Sequence, residues 1–179
     1  MSSPNTVSSA PAHAPEASAP DYATITWDQL HRDARTLAAT LMRECSQNGA
    51  IKGLVAISRG GLIPAAIVAR ETGSRLVETV CIASYEGEEG TQGEPNLLKA
   101  PVAAGDGEGF VVIDDLVDSG VTAKEVRALL PKAVFACLYA KPKGQPQTDY
   151  YVTPIAQKTW VLFPWDTAPM FVAPLAHKS

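Results

Sequence analysis

The sequence has little cysteine, no surplus of basic side chains and no long apolar run. Its three cysteines, Cys45, Cys81 and Cys137, lack C-x-x-C spacing, which favours reduced thiols in a cytoplasmic protein over a disulfide or zinc framework. The formal net charge of −4 argues against a dedicated nucleic-acid or anionic-membrane binder, because neutralising many phosphates requires a basic face. Small anions remain candidate ligands, since they require only a local positive field.

The N-terminal segment 1–21 is rich in serine, alanine and proline and has almost no large apolar side chains. We expect a disordered tail that is neither a signal peptide nor a membrane span, with a targeting role as the alternative. The remaining segment, 22–179, has the length of a single α/β domain.

Residues 110–130, FVVIDDLVDSGVTAKEVRALL, carry the strongest pattern in the chain. The apolar run 110–113 is typical of a strand buried in a parallel sheet, and the apolar spacing of 126–130 predicts a helix that ends before Pro131. An acidic loop joins them. In open α/β sheets, ligands collect outside the carboxyl ends of the strands, where a helix N-terminus attracts anions.

The residue types of this loop suit a sugar phosphate. Ser119, Gly120 and Thr122 can surround a phosphate with backbone amides and hydroxyls, whereas the neighbouring carboxylates would repel it. The carboxylates therefore need another task, such as accepting hydrogen bonds from ribose hydroxyls or holding Mg²⁺, with Asp118 near the anomeric carbon. An ordinary surface turn with an acidic N-cap is the alternative.

A second strand, loop and helix unit precedes the acidic loop. The strand 54–57 is broken by Arg59, Gly60 and Gly61 just before a helix that Pro64 opens. An arginine flanked by glycines can offer a guanidinium and bare backbone amides to an anion. Taken alone, a glycine-rich connector with a solvated arginine explains the run as well.

The other elements follow from apolar spacing. A helix capped by Thr26 is predicted to end near Glu44, and strands are predicted at 76–84 and 133–140. The polar, glycine-rich segment 84–109 is too long for an ordinary connection, so it is interpreted as a flexible loop over the site, with a disordered insertion as the alternative.

Two side chains near the C-terminus can recognise a planar ligand. Lys141 at the end of a strand can donate to a carbonyl, and Trp160 can stack on a ring. The alternatives are a lysine that extends to solvent and a tryptophan in the core or in an interface.

The run VVIDDLVDSGVT resembles the phosphoribosyl diphosphate (PRPP) signature of the type I phosphoribosyltransferases. Val121 departs from the pattern, which often has a second glycine there. The resemblance implies an α/β fold with a mostly parallel central sheet flanked by helices and a small C-terminal base-binding hood at 141–179. It also implies that PRPP is bound by Arg59, Gly60, Gly61, Asp114, Asp115, Asp118, Ser119, Gly120, Val121 and Thr122, with Asp115 in contact with Mg²⁺.

The spacing from Lys141 through Trp160 to Asp166 is similar to that of the bacterial xanthine-guanine phosphoribosyltransferases. It implies that Lys141 donates to the purine 6-oxo group and that Trp160 stacks on the ring. Backbone carbonyls around Trp160 and Asp166 would accept from the 2-position, with Val161 also in contact with the base. Asp118 would be the catalytic residue that accepts the N7 proton.

This resemblance implies purine salvage: transfer of the 5-phosphoribosyl group from PRPP to xanthine, guanine or hypoxanthine, with Mg²⁺. It further implies a homo-oligomer, a dimer or tetramer, to which the apolar stretch 170–175 would contribute a subunit contact. A cytoplasmic location follows, with peripheral association at the inner membrane left open.

Three alternatives remain beside this interpretation. A hypoxanthine-guanine or pyrimidine phosphoribosyltransferase shares the signature, and a PRPP-sensing regulator that binds nucleic acid keeps the fold but conflicts with the acidic charge balance. A response-regulator receiver domain also has paired acids at a strand end. Its acids belong near the start of the domain, whereas Asp114 and Asp115 lie past the middle of this chain.

Overall fold

A computed structural model describes residues 21–45, 50–86 and 92–166, except for the side chains of 84–86 and 92–95. Its helices are α1 (Trp27–Cys45), α2 (Leu62–Thr72) and α3 (Val121–Leu129). Its strands are β1 (Tyr22–Thr24), β2 (Gly53–Ser58), β3 (Val77–Glu86), β4 (Gln92–Lys99), β5 (Phe110–Val117), β6 (Val134–Ala140), β7 (Tyr150–Pro154) and β8 (Trp160–Leu162).

The central sheet has six strands in the order β4-β3-β2-β5-β6-β7. Neighbouring strands run parallel except for β3 and β4, which are antiparallel. A separate pair is formed by β1 and β8, which run parallel to each other. The mostly parallel sheet predicted from the sequence is therefore confirmed.

Helices cover both faces of this sheet. Successive residues of a strand point to opposite faces, so each central strand packs against both layers of helices. On one face, Leu54 of β2 packs with the buried residues of α1 and α2. On the other, Val55 packs with Ala123 and Val126 of α3. The chain therefore leaves β2 toward one face and β5 toward the other. These two strands are neighbours, so a crevice opens between their carboxyl ends.

Helix α1 is fixed at its start and at its middle. Gln29 N donates to Thr26 Oγ1 (3.2 Å), which is the cap predicted from the sequence. Farther along, the buried Asp33 accepts a hydrogen bond from the Tyr139 hydroxyl of β6 (2.5 Å) and further bonds from Gln29 Nε2. These bonds satisfy a carboxylate that would otherwise be costly to bury, and they connect α1 to the sheet.

The expectation that segment 84–109 lacks regular structure was wrong for part of it. Residues 92–99 form β4, which pairs with β3, and Val102–Ala104 form a 3-10 helix. An antiparallel partner satisfies backbone N–H and C=O groups whatever the side chains are, so a polar sequence did not prevent strand formation. The role of this segment as a loop over the site stays a prediction.

Several expectations concern residues outside the described part of the chain. The tail 1–20 and the apolar stretch 170–175 both belong to this group. Within the described residues, Cys45, Cys81 and Cys137 are free thiols. No helix in the described residues has the length and hydropathy needed to cross a membrane.

Candidate active site

The glycine-rich loop after β2 lies against the acidic loop after β5. A Cβ atom added to Gly60 would lie 2.3 Å from a carboxylate oxygen of Asp115, and one added to Gly61 would lie 2.2 Å from the carbonyl oxygen of Ile113. Only glycine permits such a close approach. The two loops that the family resemblance assigned to PRPP therefore meet at the crevice between β2 and β5.

Arg59 stands at the rim of this crevice. Its side chain is exposed to solvent, and the peptide that joins it to Ser58 is cis. Gly61 N donates to Ile57 O (2.8 Å), and Ala65 N donates to Gly61 O (2.9 Å) as α2 begins. The arginine is therefore carried on a loop whose ends are fixed by backbone hydrogen bonds, with its guanidinium in a position to meet a solvent-borne anion.

The loop before α3 encloses a small cavity of ≈ 130 Å³, lined by Asp114 and residues 116–123. Gly120 has φ 84°, a left-handed conformation that glycine adopts readily, and its carbonyl accepts from Lys124 N (2.9 Å). Val121 is the first residue of α3, so the missing second glycine costs no strained backbone angle. Ser119 and Thr122 both line the cavity, as expected of a phosphate-binding loop at a helix N-terminus.

Asp114 and Asp115 are adjacent carboxylates near the end of β5, of which Asp114 is buried and Asp115 is half-buried. Burial and then the charge of Asp115 raise the pKa of Asp114 well above its ordinary value. Burial also raises the pKa of Asp115, against the hydrogen bond that Leu116 N donates to its Oδ1 (2.7 Å). Two neighbouring acids that repel each other, one of them buried, form a site that attracts a cation or hydroxyl donors.

Asp118 accepts hydrogen bonds from two side chains on different loops. Lys141 Nζ, on a side chain that is 6 % exposed, donates to Asp118 Oδ2 (2.7 Å). Gln157 Nε2 donates to Asp118 Oδ1 (2.8 Å). Lys141 itself is fixed by its backbone, because Lys141 N donates to Val117 O (2.9 Å). The aspartate predicted to act as the catalytic base and the lysine predicted to bind the purine are thus direct neighbours.

Three residues of the hood were predicted to contact the base: Trp160, Val161 and Asp166. They lie in β8 and in the turn after it. Trp160 is 60 % exposed, Val161 is buried, and Trp160 N donates to Asp21 O (2.7 Å). Asp166 Oδ2 accepts from Phe163 N (3.0 Å), so its carboxylate closes the turn. Burial is the main cause of the raised pKa of Asp115, and the negative charge of Asp166 acts in the same direction.

Sequence reasoning missed Gln157 and Gly144. Gln157 lies in a connection without apolar spacing, so no local pattern distinguished it from a surface residue. Gly144 lies so close to the acidic loop that a Cβ would be 2.5 Å from Val117 O. Both act through contacts between loops that are distant in sequence, which local patterns do not show.

Comparisons with known proteins find phosphoribosyltransferases that match most of this chain. A family model described as "Phosphoribosyl transferase domain" matches residues 26–171. A xanthine-guanine phosphoribosyltransferase of Gluconobacter oxydans is 72% identical over 156 residues, which cover 87% of this chain and 91% of the relative. Another from Desulfotalea psychrophila is 52% identical over 151 residues, covering 84% and 90%.

Solved structures show the same architecture. The crystal structure of a purine phosphoribosyltransferase from Pyrococcus horikoshii has a TM-score of 0.69 and 27% identity, covering 86% of this chain and 99% of that one. A xanthine-guanine-hypoxanthine phosphoribosyltransferase from Helicobacter pylori has a TM-score of 0.66 and 20% identity, covering 82% and 94%. At that level of identity the second likeness concerns the fold alone.

Proposed function

This chain belongs to the phosphoribosyl transferase family, and on that premise we propose that it transfers the 5-phosphoribosyl group of PRPP to a 6-oxopurine. The family expected from the sequence is thereby confirmed. The observation that carries the proposal is the meeting of three groups in one crevice: the glycine-rich loop at Gly60, the acidic pair at Asp115 and the Lys141–Asp118 pair. Together they suit a substrate with two phosphorylated ends and a reactive carbon between them.

PRPP lies across the two loops in this proposal. The 5-phosphate occupies the cavity before α3, where the backbone N–H groups of 119–122 and the hydroxyls of Ser119 and Thr122 donate to it. The diphosphate lies at Arg59, Gly60 and Gly61, where the guanidinium of Arg59 and the backbone amide of Gly60 face it, while Gly61 N stays bonded to Ile57 O. The ribose hydroxyls donate to the carboxylates of 114–115, which are the acceptors between the two anion sites.

The acidic pair, Asp114 and Asp115, suits a Mg²⁺ ion that is held partly by the protein and partly by the substrate. No group of three or more His, Cys, Asp or Glu side chains in the described part of the chain is arranged to hold a metal. Mg²⁺ commonly takes one or two carboxylates and completes its shell with water and substrate phosphate oxygens. Asp115, beside Asp114, would hold it, and the ion would neutralise charge on the departing diphosphate.

The base is recognised by Lys141, Asp118 and the hood. Lys141 donates to the 6-oxo group, and the exposed ring of Trp160 stacks on the purine while backbone groups near Val161 and Asp166 meet its 2-position. The purine nitrogen forms the bond to the anomeric carbon as the carbon–oxygen bond to diphosphate breaks, and Asp118 accepts the N7 proton. A 6-amino purine leaves Lys141 facing a donor, so adenine is rejected.

Two further features belong to the proposal. The chain works as a homo-oligomer, for which the apolar stretch 170–175 supplies a contact surface. Its reduced cysteines and its use of PRPP suit a cytoplasmic protein, with peripheral attachment to the inner membrane as an additional property to examine. Gel filtration with light scattering and cell fractionation measure these two features separately.

Nucleotide formation tests the proposal directly. The protein is incubated with PRPP, Mg²⁺ and one base at a time: xanthine, guanine, hypoxanthine, adenine or a pyrimidine. We expect diphosphate and the 5′-monophosphate nucleotide from the 6-oxopurines and none from adenine. Turnover of hypoxanthine and guanine without xanthine, or of a pyrimidine alone, would support the alternative enzymes. Absence of any nucleotide would favour a PRPP-binding regulator.

A further inference from the structure

Gln157 connects two loops of the active site through its side-chain amide. Its Nε2 donates to Asp118 Oδ1 (2.8 Å), and its Oε1 accepts from Lys143 N (3.0 Å). A carboxylate only accepts when it is ionised, and a backbone N–H only donates, so one orientation of the amide satisfies both neighbours. Gln157 therefore presents a donor, and never an acceptor, to Asp118.

Asp118 depends on more than one neighbour for its position. Its side chain is 53% exposed, and the ammonium of Lys141 holds its other oxygen. In the proposed reaction, Lys141 also donates to the 6-oxo group of the purine. When the ammonium is drawn toward the base, the bond from Gln157 remains and keeps the carboxylate from rotating into solvent.

The neighbourhood of Gln157 is fixed independently of the substrate. Lys143 belongs to a tight turn in which Gly144 N and Gln145 N both donate to Lys141 O (2.8 and 3.0 Å). Because the amide oxygen of Gln157 is bonded to this turn, its Nε2 is held at a fixed point beside Asp118. A donor that is aligned in advance costs little further ordering when the base binds.

We propose that Gln157 is the positioning residue for Asp118: its amide keeps the carboxylate directed at the N7 proton of the purine while Lys141 turns to the 6-oxo group. This inference rests on the proposed function of the same site. Gln157 acts through Asp118. Its substitution should therefore lower kcat for the bound base and change the affinity for PRPP little.

Two substitutions separate positioning from a structural role. Gln157→Met keeps the length of the side chain and removes both hydrogen bonds. Gln157→Glu keeps an acceptor for Lys143 N but turns a carboxylate toward Asp118, so the loop connection survives while the two acids repel each other. If Gln157 only held the loops together, the glutamate variant would be the milder of the two. Positioning predicts that it is the more severe.

We expect kcat to fall by about 10- to 100-fold in Gln157→Met, as for a misplaced catalytic group. Gln157→Glu should lose more, while KM for PRPP stays within about twofold in both variants because Gln157 is bonded to Asp118 and Lys143 and not to the amides or hydroxyls of 119–122 that the proposal assigns to the 5-phosphate. Lys158→Met is the matched control, since it changes an exposed neighbouring side chain. Thermal unfolding of all variants verifies that they are folded.

A double-mutant cycle provides the decisive measurement. In an Asp118→Ala background there is no carboxylate to position, so adding Gln157→Met should change kcat by less than about threefold. Additive losses in the cycle, or a glutamate variant milder than the methionine variant, would overturn the inference while wild-type turnover upholds the proposed function. A wild-type protein that makes no nucleotide overturns the proposed function itself, and the positioning role with it.

Discussion

Asp118 is held by Lys141 and Gln157 on its two oxygens, which directs a largely exposed carboxylate to one place. In Asp118→Ala, we expect kcat to fall by about 10²- to 10⁴-fold, the usual contribution of one general base. PRPP affinity should change little, because the backbone amides of 119–122 and the glycine-rich loop at Gly60 are untouched. Steady-state kinetics with guanine and calorimetric titration of PRPP measure the two quantities. Near-normal turnover would remove Asp118 from the mechanism.

Asp114 gives the folded protein an unusual dependence on pH. Because its pKa is raised from 3.8, the unfolded chain ionises first as pH increases, while the folded chain keeps the proton. The contribution of this carboxyl to the free energy of unfolding is therefore fully present below 3.8 and is lost as pH rises through the folded pKa. Both the burial and the neighbouring Asp115 act in this direction.

The corresponding variant is Asp114→Asn, which keeps an acceptor for Asp115 N. Without divalent cation, we expect its free energy of unfolding to fall less than that of the wild type when the pH is raised from just below 3.8 to neutral, by an amount on the order of 1 kcal/mol per unit of pKa shift. Urea unfolding at the two pH values measures it. A variant that loses as much stability as the wild type over this range would contradict the assignment.

At the residue scale, sequence reasoning identified side-chain types but not their partners. The acids 114–115 and Asp118 were predictable because an apolar strand runs directly into them. The bond between Lys141 and Asp118 was not, since both were assigned to the base and nothing local shows them in contact. Gln157, which lies 39 positions after Asp118, became visible only when the loops were folded together.

At the scale of elements, the packing of the β2–α2 loop against the end of β5 determines whether both anion sites belong to one ligand. Gly60→Ala would place a methyl group on the Asp115 carboxylate, which Leu116 N already holds. We expect a loss of about 1–3 kcal/mol in the free energy of unfolding, typical of overpacking, and a higher KM for PRPP. Urea unfolding and initial-rate kinetics measure the two effects.

Gly73→Asn is the control for that substitution. Gly73 has φ 73° at the end of α2, where a Cβ would meet nothing within 4 Å, and asparagine tolerates this conformation. It should leave KM for PRPP unchanged. If Gly60→Ala also left stability and KM unchanged, the close contact between the two loops would not matter for the site.

Strands with buried apolar side chains were predictable from the sequence, whereas strands that form by pairing with another strand were not. The runs 54–57 in β2, 110–113 in β5 and 134–140 in β6 are apolar because the sheet is covered on both faces, so each was recognisable alone. The strand β4 is stabilised by pairing with β3, and β1 by pairing with β8, which lies more than a hundred residues away. Their formation depends on the partner more than on their own side chains.

At the scale of the molecule, the site exists because β2 and β5 are neighbours whose helices leave toward opposite faces. That arrangement opens a crevice at their carboxyl ends and supplies it with two loops and one helix N-terminus. The sequence predicted both units, and the family resemblance predicted their meeting. The position of the hood could not be predicted from the sequence. It depends on the pairing of β1 with β8, which lie near the two ends of the described chain.

The most direct test of the account is a crystal structure of the protein with PRPP and Mg²⁺. We predict one PRPP across the crevice, with its 5-phosphate on the amides of 119–122, its diphosphate at Arg59, Gly60 and Gly61, and the metal at Asp115. A PRPP molecule that contacts only one of the two loops, or that lies elsewhere on the protein, would contradict the claim that they form a single phosphoribosyl site.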